Sequence, residues 1–489
     1  MATGSRRSPG RRSEPRRFLQ RNVPRKWRYR LAPALGPPPP PSRLSVLWTR
    51  ARRLLFEWWI WGAAAIWSAW RDDWWTAALT GVVAGFVHLA SPRRHPLIRG
   101  LEHRMALGSA AFVDSIEGTT GTPFMAGNRV TILNNGDEFY PAMLDAIGGA
   151  RQSVTIESYI YWGGHIGLRF AQALAERARA GVTVKILLDA VGSATIGDEI
   201  LAVLGSSGCQ LAWFRPIRWY TLARFNQRTH RKTLLIDGRI AFTGGAGIAD
   251  QWCGDAQNPG HWRDVQVQVE GPAVIALQHG FVVNWLQTTG EMVTGPAFFP
   301  RPEPAGDVAV QTVMSSPTTG SSAVRTLYLL SIASARRSIL IANPYFIPDV
   351  EALEALGQAS RRGVEVQVLV SGIRNDNWLA RHNSVRLFGH LLESGIALFE
   401  YNRTMLHQKT MIVDGIWATI GTANFDNRSF RLNEESNITF FDTTLVGRMT
   451  RTFEDDVAHA DPVDLERWRR RGVWAQAQEV MASVLQDQA

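Results

Sequence analysis

Two histidine–lysine pairs with the same internal spacing stand out in this chain. The pattern His-x-Lys-x₄-Asp-x₆-Gly occurs first at His230, Lys232, Asp237 and Gly244, and again at His407, Lys409, Asp414 and Gly421. The copies lie 177 residues apart, and each stands in a strand-like run that leads to a Gly-rich turn. A single His-x-Lys carries little information, but two matched copies indicate one active site built from two similar halves.

The residue types of the two motifs suit phosphoryl transfer. One imidazole can attack the phosphorus of a phosphodiester and form a covalent phosphohistidine. The other can protonate the leaving alcohol and then deprotonate the incoming one. The lysines supply positive charge for the nonbridging phosphate oxygens. The chain shows no Asp/Glu/His spacing typical of a metal cluster, so we expect neither a metal nor another cofactor.

A reactive imidazole also needs a hydrogen-bond acceptor for its second ring nitrogen. Asp264 lies 34 residues after His230, and Glu435 lies 28 residues after His407. Each carboxylate precedes a strand-like run that could lie beside the motif strand of its own half. We therefore expect these two carboxylates to orient the histidines, although the spacing alone would equally fit two surface carboxylates.

The motif strands can be recognised in the sequence. Side chains alternate along a strand, so the His and Lys of each copy project from one face. Asp-Gly follows each strand and is a hairpin signal. Asp237 and Asp414 belong to the motif that carries the chemistry, but we interpret them as turn or strand-fixing residues rather than catalytic bases. The Gly that ends the next strand, Gly244 or Gly421, would let the backbone approach a phosphate.

An internal repeat extends beyond the motifs. Ala150–Tyr159 resembles Ala335–Tyr345, and Arg179–Leu188 resembles Arg361–Val370. In both halves a helical pattern leads through a Gly into a β-branched strand. This alternation predicts an α/β fold with a largely parallel or mixed sheet covered on both faces, in two similar lobes packed pseudo-symmetrically. Tyr159 and Tyr345 end matched segments, and either pocket lining or core packing would explain them.

Positive charge is concentrated in an N-terminal tail. The chain has a net charge of +10, but residues 1–53 hold 15 Lys and Arg and one acid, so the remainder carries −4. This balance argues against a DNA-binding face on the folded body. Residues 1–47 are basic and Pro-rich, which predicts disorder. Such a tail could bind an anionic lipid leaflet or only fix the membrane topology. The chain has two cysteines, so no disulfide framework is indicated.

Two apolar stretches follow within residues 48–95. Leu54–Trp70 and Trp74–Ala90 are each 17 residues long, the lower limit for crossing a hydrocarbon core of about 30 Å. Tryptophans crowd both stretches, and arginines flank their outer ends, which places both ends in the cytoplasm by the positive-inside rule. We predict a membrane-associated helical hairpin. A soluble hairpin or a re-entrant pair are the alternatives, since Glu57 is costly at depth.

These patterns divide the chain into five parts. The predicted order is the tail (1–47), the hairpin (48–95), a first lobe (125–300), a second lobe (305–460) and a C-terminal helix (461–489). The last segment contains Trp468, Trp474 and three consecutive arginines. It would either contact a lipid surface or cap the second lobe.

The motifs resemble those of the phospholipase D superfamily, whose signature continues as His-x-Lys-x₄-Asp-x₆-Gly-x₂-Asn. The run from Gly421 to Ser429, the run from Asn343 to Asp349 and the Trp-rich hairpin are similar to those of bacterial cardiolipin synthases. The resemblance implies two phospholipase D-like α/β lobes in a pseudo-two-fold arrangement, preceded by the membrane hairpin. The first copy departs from the signature, because Gly247 stands where an Asn is expected and one amide donor is then missing.

The resemblance also implies a role for each site residue. His230 would be the nucleophile and His407 the general acid/base, with Asp264 and Glu435 orienting them. Phosphate binding would fall to Lys232, Lys409 and Asn424, beside Gly244 and Gly421.

The activity implied is that of a phosphatidyltransferase of the cardiolipin synthase type. One phosphatidylglycerol would donate its phosphatidyl group and lose glycerol, and the terminal hydroxyl of a second would accept the group. The alternative is a phospholipase D-type hydrolase or headgroup exchanger on another lipid such as phosphatidylethanolamine. The mildly acidic body argues against a nuclease, and the retention of both His/Lys pairs argues against a non-catalytic scaffold.

The implied partners are a phospholipid membrane and anionic lipid substrates, without nucleic acid. The implied location is the bacterial inner membrane, with the catalytic lobes in the cytoplasm.

Overall fold

The computed structural model describes residues 58–71, 73–90, 105–218, 226–317 and 322–484. The predicted basic tail (1–47), Glu57 and the arginines that flank the apolar stretches lie outside these residues.

The two apolar stretches form helices α1 (Trp58–Trp70) and α2 (Trp74–Ala90). The helices lie side by side, since a Cβ placed on Gly81 would lie 4.0 Å from the Cβ of Ala65. The predicted turn falls between them, and the Asp73 side chain caps α2 by accepting from the Thr76 N–H at 3.1 Å. Among the described residues, no helix has both the length and the hydropathy that a membrane span requires.

A further helix, α3 (Ala110–Thr120), precedes the first lobe but packs on the second. Ser109 caps its first turn and Gly121, with φ of 73°, ends it. Phe112 and Ile116 of α3 enter the core of the second lobe. This helix lies between the predicted hairpin and first lobe, where no element was expected.

The first lobe alternates strands with helices. Its elements are β1 (Met125–Asn134), α4 (Asn135–Gly149), β2 (Ser153–Ser158), α5 (His165–Arg179), β3 (Thr183–Asp189), α6 (Asp198–Gly205), β4 (Gln210–Phe214), β5 (Lys232–Ile236), β6 (Ile240–Gly244), a 3₁₀ turn (Asp250–Trp252), β7 (Val265–Glu270) and α7 (Val274–Thr289).

The second lobe repeats this order. Its elements are β8 (Val308–Ser315), α8 (Ala323–Ser334), β9 (Ser338–Ala342), α9 (Val350–Arg361), β10 (Glu365–Ser371), α10 (Trp378–Glu393), β11 (Ala397–Tyr401), β12 (Thr410–Val413), β13 (Trp417–Gly421), α11 (Asn427–Arg431), β14 (Glu435–Phe440) and α12 (Thr443–Ala458).

Within the described residues the strands, with a short edge strand β15 (Ala460–Pro462), form one mixed sheet of fifteen, which confirms the α/β class. Its order is β15-β11-β10-β9-β12-β13-β14-β8-β1-β7-β6-β5-β2-β3-β4. Outward from the antiparallel centre β1/β8, each lobe presents equivalent strands in the same order. The inner strands are antiparallel, and β2, β3 and β4 are parallel, as are β9, β10 and β11. The lobes therefore share a single sheet with a pseudo-two-fold order.

The two halves of the sheet also pack on each other. Their common core contains apolar side chains of both lobes, among them Ala241, Val267, Ile420 and Ile438. The hydroxyls of Thr243 in β6 and Ser436 in β14 lie 3.2 Å apart in this buried layer. Separate apolar clusters lie under the helices of each lobe.

The C-terminal segment differs from the single helix predicted for residues 461–489. It starts with an edge strand, β15 (Ala460–Pro462), which pairs with β11. Two helices follow, α13 (Leu465–Arg469) and α14 (Val473–Val484), separated by a break at residues 470–472. Trp468 donates to the carbonyl of Val385 in α10 at 2.9 Å. The prediction of one helix was wrong, and the segment caps the second lobe.

Candidate active site

The chain segments that carry the histidines are tied to the opposite lobe. His230 lies just before β5, and its N–H donates to the carbonyl of Glu434 at 2.9 Å. His407 lies just before β12, and its N–H donates to the carbonyl of Arg263 at 2.8 Å. The returning N–H groups of Glu434 and Arg263 complete two short parallel bridges. These bridges hold both histidines at the junction of the lobes.

The same bridges exchange the orienting carboxylates between the lobes. Nδ1 of His230 lies 3.0 Å from Oε1 of Glu435, and Nδ1 of His407 lies 2.9 Å from Oδ2 of Asp264. The expectation that each carboxylate serves the histidine of its own half was wrong. The reason is geometric: each carboxylate follows the residue that bridges to the other lobe's histidine segment.

Each carboxylate is fixed by further donors. Asp264 accepts from Nε1 of Trp252 at 2.9 Å and from the N–H of Val265 at 2.8 Å. Glu435 accepts from Oγ1 of Thr422 at 2.5 Å. The position of Thr422 directly after the motif residue Gly421 could have indicated that it lies in the site. Nothing in the sequence marked Trp252. Both carboxylates are fully buried, so these donors are needed to keep them ionised.

The histidines are mainly neutral in this environment. Burial lowers the pKa of His230 to about 4, and Lys232 adds to the lowering against the opposing effect of Glu435. Burial and the charge of Lys409 also lower the pKa of His407. Since Glu435 holds Nδ1 of His230, the ring can present Nε2 as a nucleophile, and Nε2 has no hydrogen-bond partner among the described residues.

The carboxylates keep their charge despite burial. Burial raises the pKa of Glu435. The charge of His230, which is protonated at the low pH where Glu435 titrates, outweighs this effect together with the charge of Lys232 and two hydrogen bonds, and the pKa falls to about 2. The pKa of Asp264 is likewise lowered, because hydrogen bonding to His407 and the charge of Lys409 oppose its burial.

The two lysines share the site with the histidines. Burial lowers the pKa of Lys232 to about 7, with a further contribution from repulsion by Lys409. Burial lowers the pKa of Lys409 to about 8. Nζ of Lys232 donates to the carbonyl of His230 at 2.8 Å, and Nζ of Lys409 lies 3.0 Å from Nδ1 of His407. An anion placed between the two ammonium groups would relieve their repulsion, as expected of a phosphate site.

Asp237 and Asp414 do not belong to the catalytic set. They lie at the far ends of β5 and β12 from the histidines, where the chain turns with positive φ. Asp237 accepts from the backbone N–H groups of residues 151–153, and Asp414 from those of residues 336–338. Each carboxylate therefore clamps the start of the neighbouring strand, which confirms the interpretation as strand-fixing residues; listing Asp237 and Asp414 with the catalytic residues because they belong to the motif would be wrong.

The glycines of the motif have packing roles in the structure. A Cβ on Gly244 would lie 2.5 Å from the carbonyl oxygen of Val265, and one on Gly421 would lie 2.3 Å from that of Ser436. The neighbouring strand thus accounts for both glycines, and their contact with phosphate stays a prediction.

The missing Asn of the first lobe has a steric explanation. A Cβ on Gly247 would lie 2.8 Å from both Cβ and O of Ile160, so no side chain fits there. In the second lobe Asn424 is buried, and its Oδ1 has no partner among the described residues. At this motif position the site is therefore asymmetric, since the second lobe offers a side-chain amide to a ligand and the first lobe has a glycine.

Three buried ion pairs surround the histidine segments. Arg231 binds Glu434 at 2.9 Å, Arg263 binds Asp456 at 2.8 Å and Arg228 binds Asp189 at 2.8 Å. The first links the two lobes directly beside His230. Sequence reasoning missed these pairs because their members are far apart along the chain. Among the described residues no group of three or more His, Cys, Asp or Glu is arranged to hold a metal ion.

Comparison with known proteins now decides the family. Residues 143–257 and 328–457 match the family described as cardiolipin synthase, PLD-like domain. The chain belongs to this family. The two matched segments cover the motif-bearing parts of both lobes, which confirms the resemblance to the phospholipase D superfamily.

Relatives align over most of the chain. The cardiolipin synthase of Geobacillus thermodenitrificans is 35% identical over 352 residues, covering 71% of this chain and 70% of that protein. The major cardiolipin synthase ClsA of Bacillus subtilis is 32% identical over 365 residues, covering 74% and 76%. The crystal structure of the phosphatidylserine synthase of Haemophilus influenzae matches with a TM-score of 0.61 and 13% identity, covering 77% of this chain and 99% of that one. That likeness supports the fold.

Proposed function

We propose that the chain is a phosphatidyltransferase that condenses two phosphatidylglycerol molecules to cardiolipin and glycerol. The observation that carries the proposal is the paired site itself: two buried imidazoles, each held by a carboxylate of the other lobe and each contacted by the lysine of its own motif. Membership of the cardiolipin synthase family supports the choice of lipid substrates.

The proposed reaction has two displacements. In the first, Nε2 of His230 forms a bond to the donor phosphorus while the bond from phosphorus to the glycerol oxygen breaks, and His407 gives that oxygen a proton. In the second, His407 takes the proton of the acceptor hydroxyl, the oxygen bonds to phosphorus, and the N–P bond returns its electron pair to His230. Lys232, Lys409 and Asn424 would hold the nonbridging oxygens.

Protonation of His407 before the first step is compatible with the site. Its pKa is lowered in the unliganded protein by burial and Lys409. A bound phosphodiester adds a negative charge nearby, which raises the pKa of both His407 and Lys409. The substrate would thereby help to charge its own general acid.

Defined lipids test this proposal. The purified full-length enzyme, reconstituted with phosphatidylglycerol alone, is expected to release glycerol and form cardiolipin in equal amounts, with or without a chelator. Products would be read by mass. Phosphatidic acid as the sole product would instead assign the enzyme to the hydrolases, and turnover of phosphatidylethanolamine alone would assign it to headgroup exchange.

We further propose that the tail and hairpin hold the enzyme at the cytoplasmic face of the bacterial inner membrane. Support comes from the exposed apolar side chains of α1 and α2, which include Trp70, Trp74 and Trp75 at 76%, 66% and 89% exposure. Tryptophan favours the membrane interface, where its ring is buried and its N–H stays hydrated.

Extraction of isolated membranes distinguishes insertion from surface charge. At 1 M salt the Debye length is about 3 Å, so attraction between the tail and the lipid surface is screened. A hairpin inserted in the bilayer is expected to keep the full-length protein in the pellet both in such salt and in alkaline carbonate. Release by salt alone would show that the basic tail, and not an inserted hairpin, attaches the protein to the membrane.

A further inference from the structure

The second lobe carries a polar pair beside its histidine that has no counterpart among the described residues of the first lobe. The ring of Tyr345 lies 6.4 Å from that of His407, measured between centroids, and its hydroxyl donates to Oδ1 of Asp376. Tyr345 follows β9 and is nearly buried, at 9% exposure, whereas Asp376 lies in the exposed loop after β10. A carboxylate thus reaches the rim of the site on the His407 side.

The sheet register identifies the equivalent positions in the first lobe. In the first lobe Ser158 pairs with Lys232. In the second lobe Ala342 pairs with Thr410, so the next residue, Asn343, stands opposite Lys409. Ser158 and Asn343 are therefore equivalent. By this register Ile160 corresponds to Tyr345. Asp376 lies five residues after the end of β10, and the residue five positions after the end of β3 is Ala194, which is not an acid. Tyr159 and Tyr345, which end matched sequence segments, are therefore offset by one residue.

The surroundings of the polar pair are apolar. Tyr345 belongs to a small cluster that is separate from the main cores and includes Ile347, Leu387 and Met405. Trp262, Leu353 and Leu379 border this cluster and are only partly buried. Three apolar residues nearby are exposed: Val350 at the start of α9 (77%), Ile373 in the loop after β10 (78%) and Trp378 at the start of α10 (50%).

The first lobe differs at the corresponding place. The residue equivalent to Met405 is Arg228, which is buried and paired with Asp189. Within the part of the chain that the structure describes, which omits residues 219–225 of the first lobe, only the His407 side therefore combines an exposed carboxylate with an apolar border. An acceptor that is itself a lipid needs this combination, because its headgroup hydroxyls must reach the base while its glycerolipid part remains among apolar groups.

We propose that Tyr345 and Asp376 form the subsite for the hydroxylated headgroup of the acceptor lipid. The inference rests on the proposed function and deepens it. The Asp376 carboxylate accepts a hydrogen bond from one headgroup hydroxyl and so holds the terminal hydroxyl toward Nε2 of His407. That hydroxyl then loses its proton to His407, its oxygen bonds to phosphorus, and the bond from phosphorus to His230 breaks. The negative charge of Asp376 also raises the pKa of His407, which favours proton uptake by the base.

A donor with an activated leaving group separates the acceptor step from the first displacement. Phosphatidyl-p-nitrophenol loses nitrophenolate without needing an alcohol subsite, and the intermediate then partitions between phosphatidylglycerol and water. For Asp376→Asn and Tyr345→Phe we expect the first-turnover burst of nitrophenol to have a rate within about twofold of wild type. The ratio of cardiolipin to phosphatidic acid should fall roughly 10- to 100-fold, the effect of losing a hydrogen bond to a charged group. Asp145→Asn, at an exposed site on α4, is the matched control and should change neither quantity.

An unchanged product ratio in both variants would overturn the subsite. So would a loss of the first-turnover nitrophenol burst at an unchanged melting temperature, because it would show a role in the first displacement. Free glycerol and ethanolamine offered in competition add a second test. Preference for glycerol supports hydroxyl recognition, and preference for ethanolamine would assign the carboxylate to an ammonium group. Failure of the wild-type enzyme to make cardiolipin would refute the proposed function itself, independently of both variants.

Discussion

The two histidines have matched geometry but unequal neighbours, and this inequality separates their proposed roles. Each histidine has a tyrosine ring beside it, Tyr159 at 5.2 Å from His230 and Tyr345 at 6.4 Å from His407, measured between ring centroids. His230 is held by Glu435 with Nε2 unpartnered among the described residues, whereas His407 has Lys409 against its ring and its tyrosine donates to Asp376. A free Nε2 suits attack on phosphorus. A position next to a hydroxyl-binding group suits proton exchange with alcohols.

Removal of each imidazole should therefore block a different step. With phosphatidyl-p-nitrophenol, His407→Ala should release a burst of about one nitrophenol per enzyme, then slow by roughly 10²–10⁴-fold as the base is missing for the second step. His230→Ala should give no burst. The covalent intermediate can be detected by the mass of the intact protein. A burst in His230→Ala, with none in His407→Ala, would reverse the two roles.

The lysines predict how binding of an anion depends on pH. The pKa values of Lys232 and Lys409, about 7 and about 8, mean that both are charged below pH 7 and neutral well above pH 8. A phosphodiester anion raises both values, so binding above pH 7 takes up protons and the dissociation constant increases with pH. Below pH 7 it should be nearly constant. Calorimetry with a short-chain phosphodiester in buffers of different ionisation enthalpy measures this uptake directly.

A lysine variant identifies the source of the pH dependence. Lys232→Met should remove the proton uptake centred near pH 7 and should weaken phosphodiester binding below pH 7. The proton uptake that belongs to Lys409 should remain. An undiminished proton uptake in this variant would mean that other groups titrate on binding.

Much of the site was predictable at the scale of single residues. Residue type and spacing picked out His230, His407 and both carboxylates, because the chemistry requires those groups. The spacing could not tell that Asp237 and Asp414 face the start of a neighbouring strand, since that depends on sheet order. Tyr345 was noticed, but its partner Asp376 lies 31 residues further on, in a loop without a motif.

At the scale of elements, the loop after β6 explains the departure of Gly247 from the family signature. A Cβ there would press on Cβ and on the backbone oxygen of Ile160. Gly247→Ala is expected to destabilise the protein by about 1–3 kcal/mol, as overpacking does, and Gly247→Asn should not raise activity. Chemical denaturation monitored by fluorescence gives the free energy of unfolding.

A helical glycine in open space provides the control for this prediction. A Cβ on Gly118 of α3 meets nothing within 4 Å, and the residue is exposed. Gly118→Ala should therefore leave stability unchanged or raise it by up to about 1 kcal/mol. Equal effects of the two alanine substitutions would refute the steric explanation of Gly247.

Element prediction succeeded where local chemistry fixes the backbone. The Asp-Gly pairs gave both hairpins, since Asp237 with Gly238 and Asp414 with Gly415 all have positive φ. It failed where tertiary packing decides. The C-terminal segment breaks into two helices because Trp468 docks on α10, and α3 was missed because its apolar residues serve the second lobe.

At the scale of the whole molecule, the repeat predicted two similar lobes but not how they join. The strands of both lobes form one sheet centred on β1 and β8, and the core is shared across it. Repeat arguments treat each half as self-sufficient, so they paired each histidine with its own carboxylate. The bridges of His230 to Glu434 and of His407 to Arg263 connect residues more than 140 positions apart, beyond the reach of local patterns.

The crossed pairing makes the steps of the reaction depend on the opposite lobe. Glu435→Gln removes the acceptor that holds His230, so it should slow the nitrophenol burst on the order of 10²–10⁴-fold, by analogy with other carboxylate–histidine pairs. Asp264→Asn should leave that burst within a few-fold of wild type and slow transfer to phosphatidylglycerol instead, because it acts on His407. Pairing within a lobe would produce the reverse assignment. Both substitutions keep the side-chain volume, and melting temperatures show whether the buried networks survive. A variant that loses both steps while still folded would contradict the separation of roles that the exchanged carboxylates create.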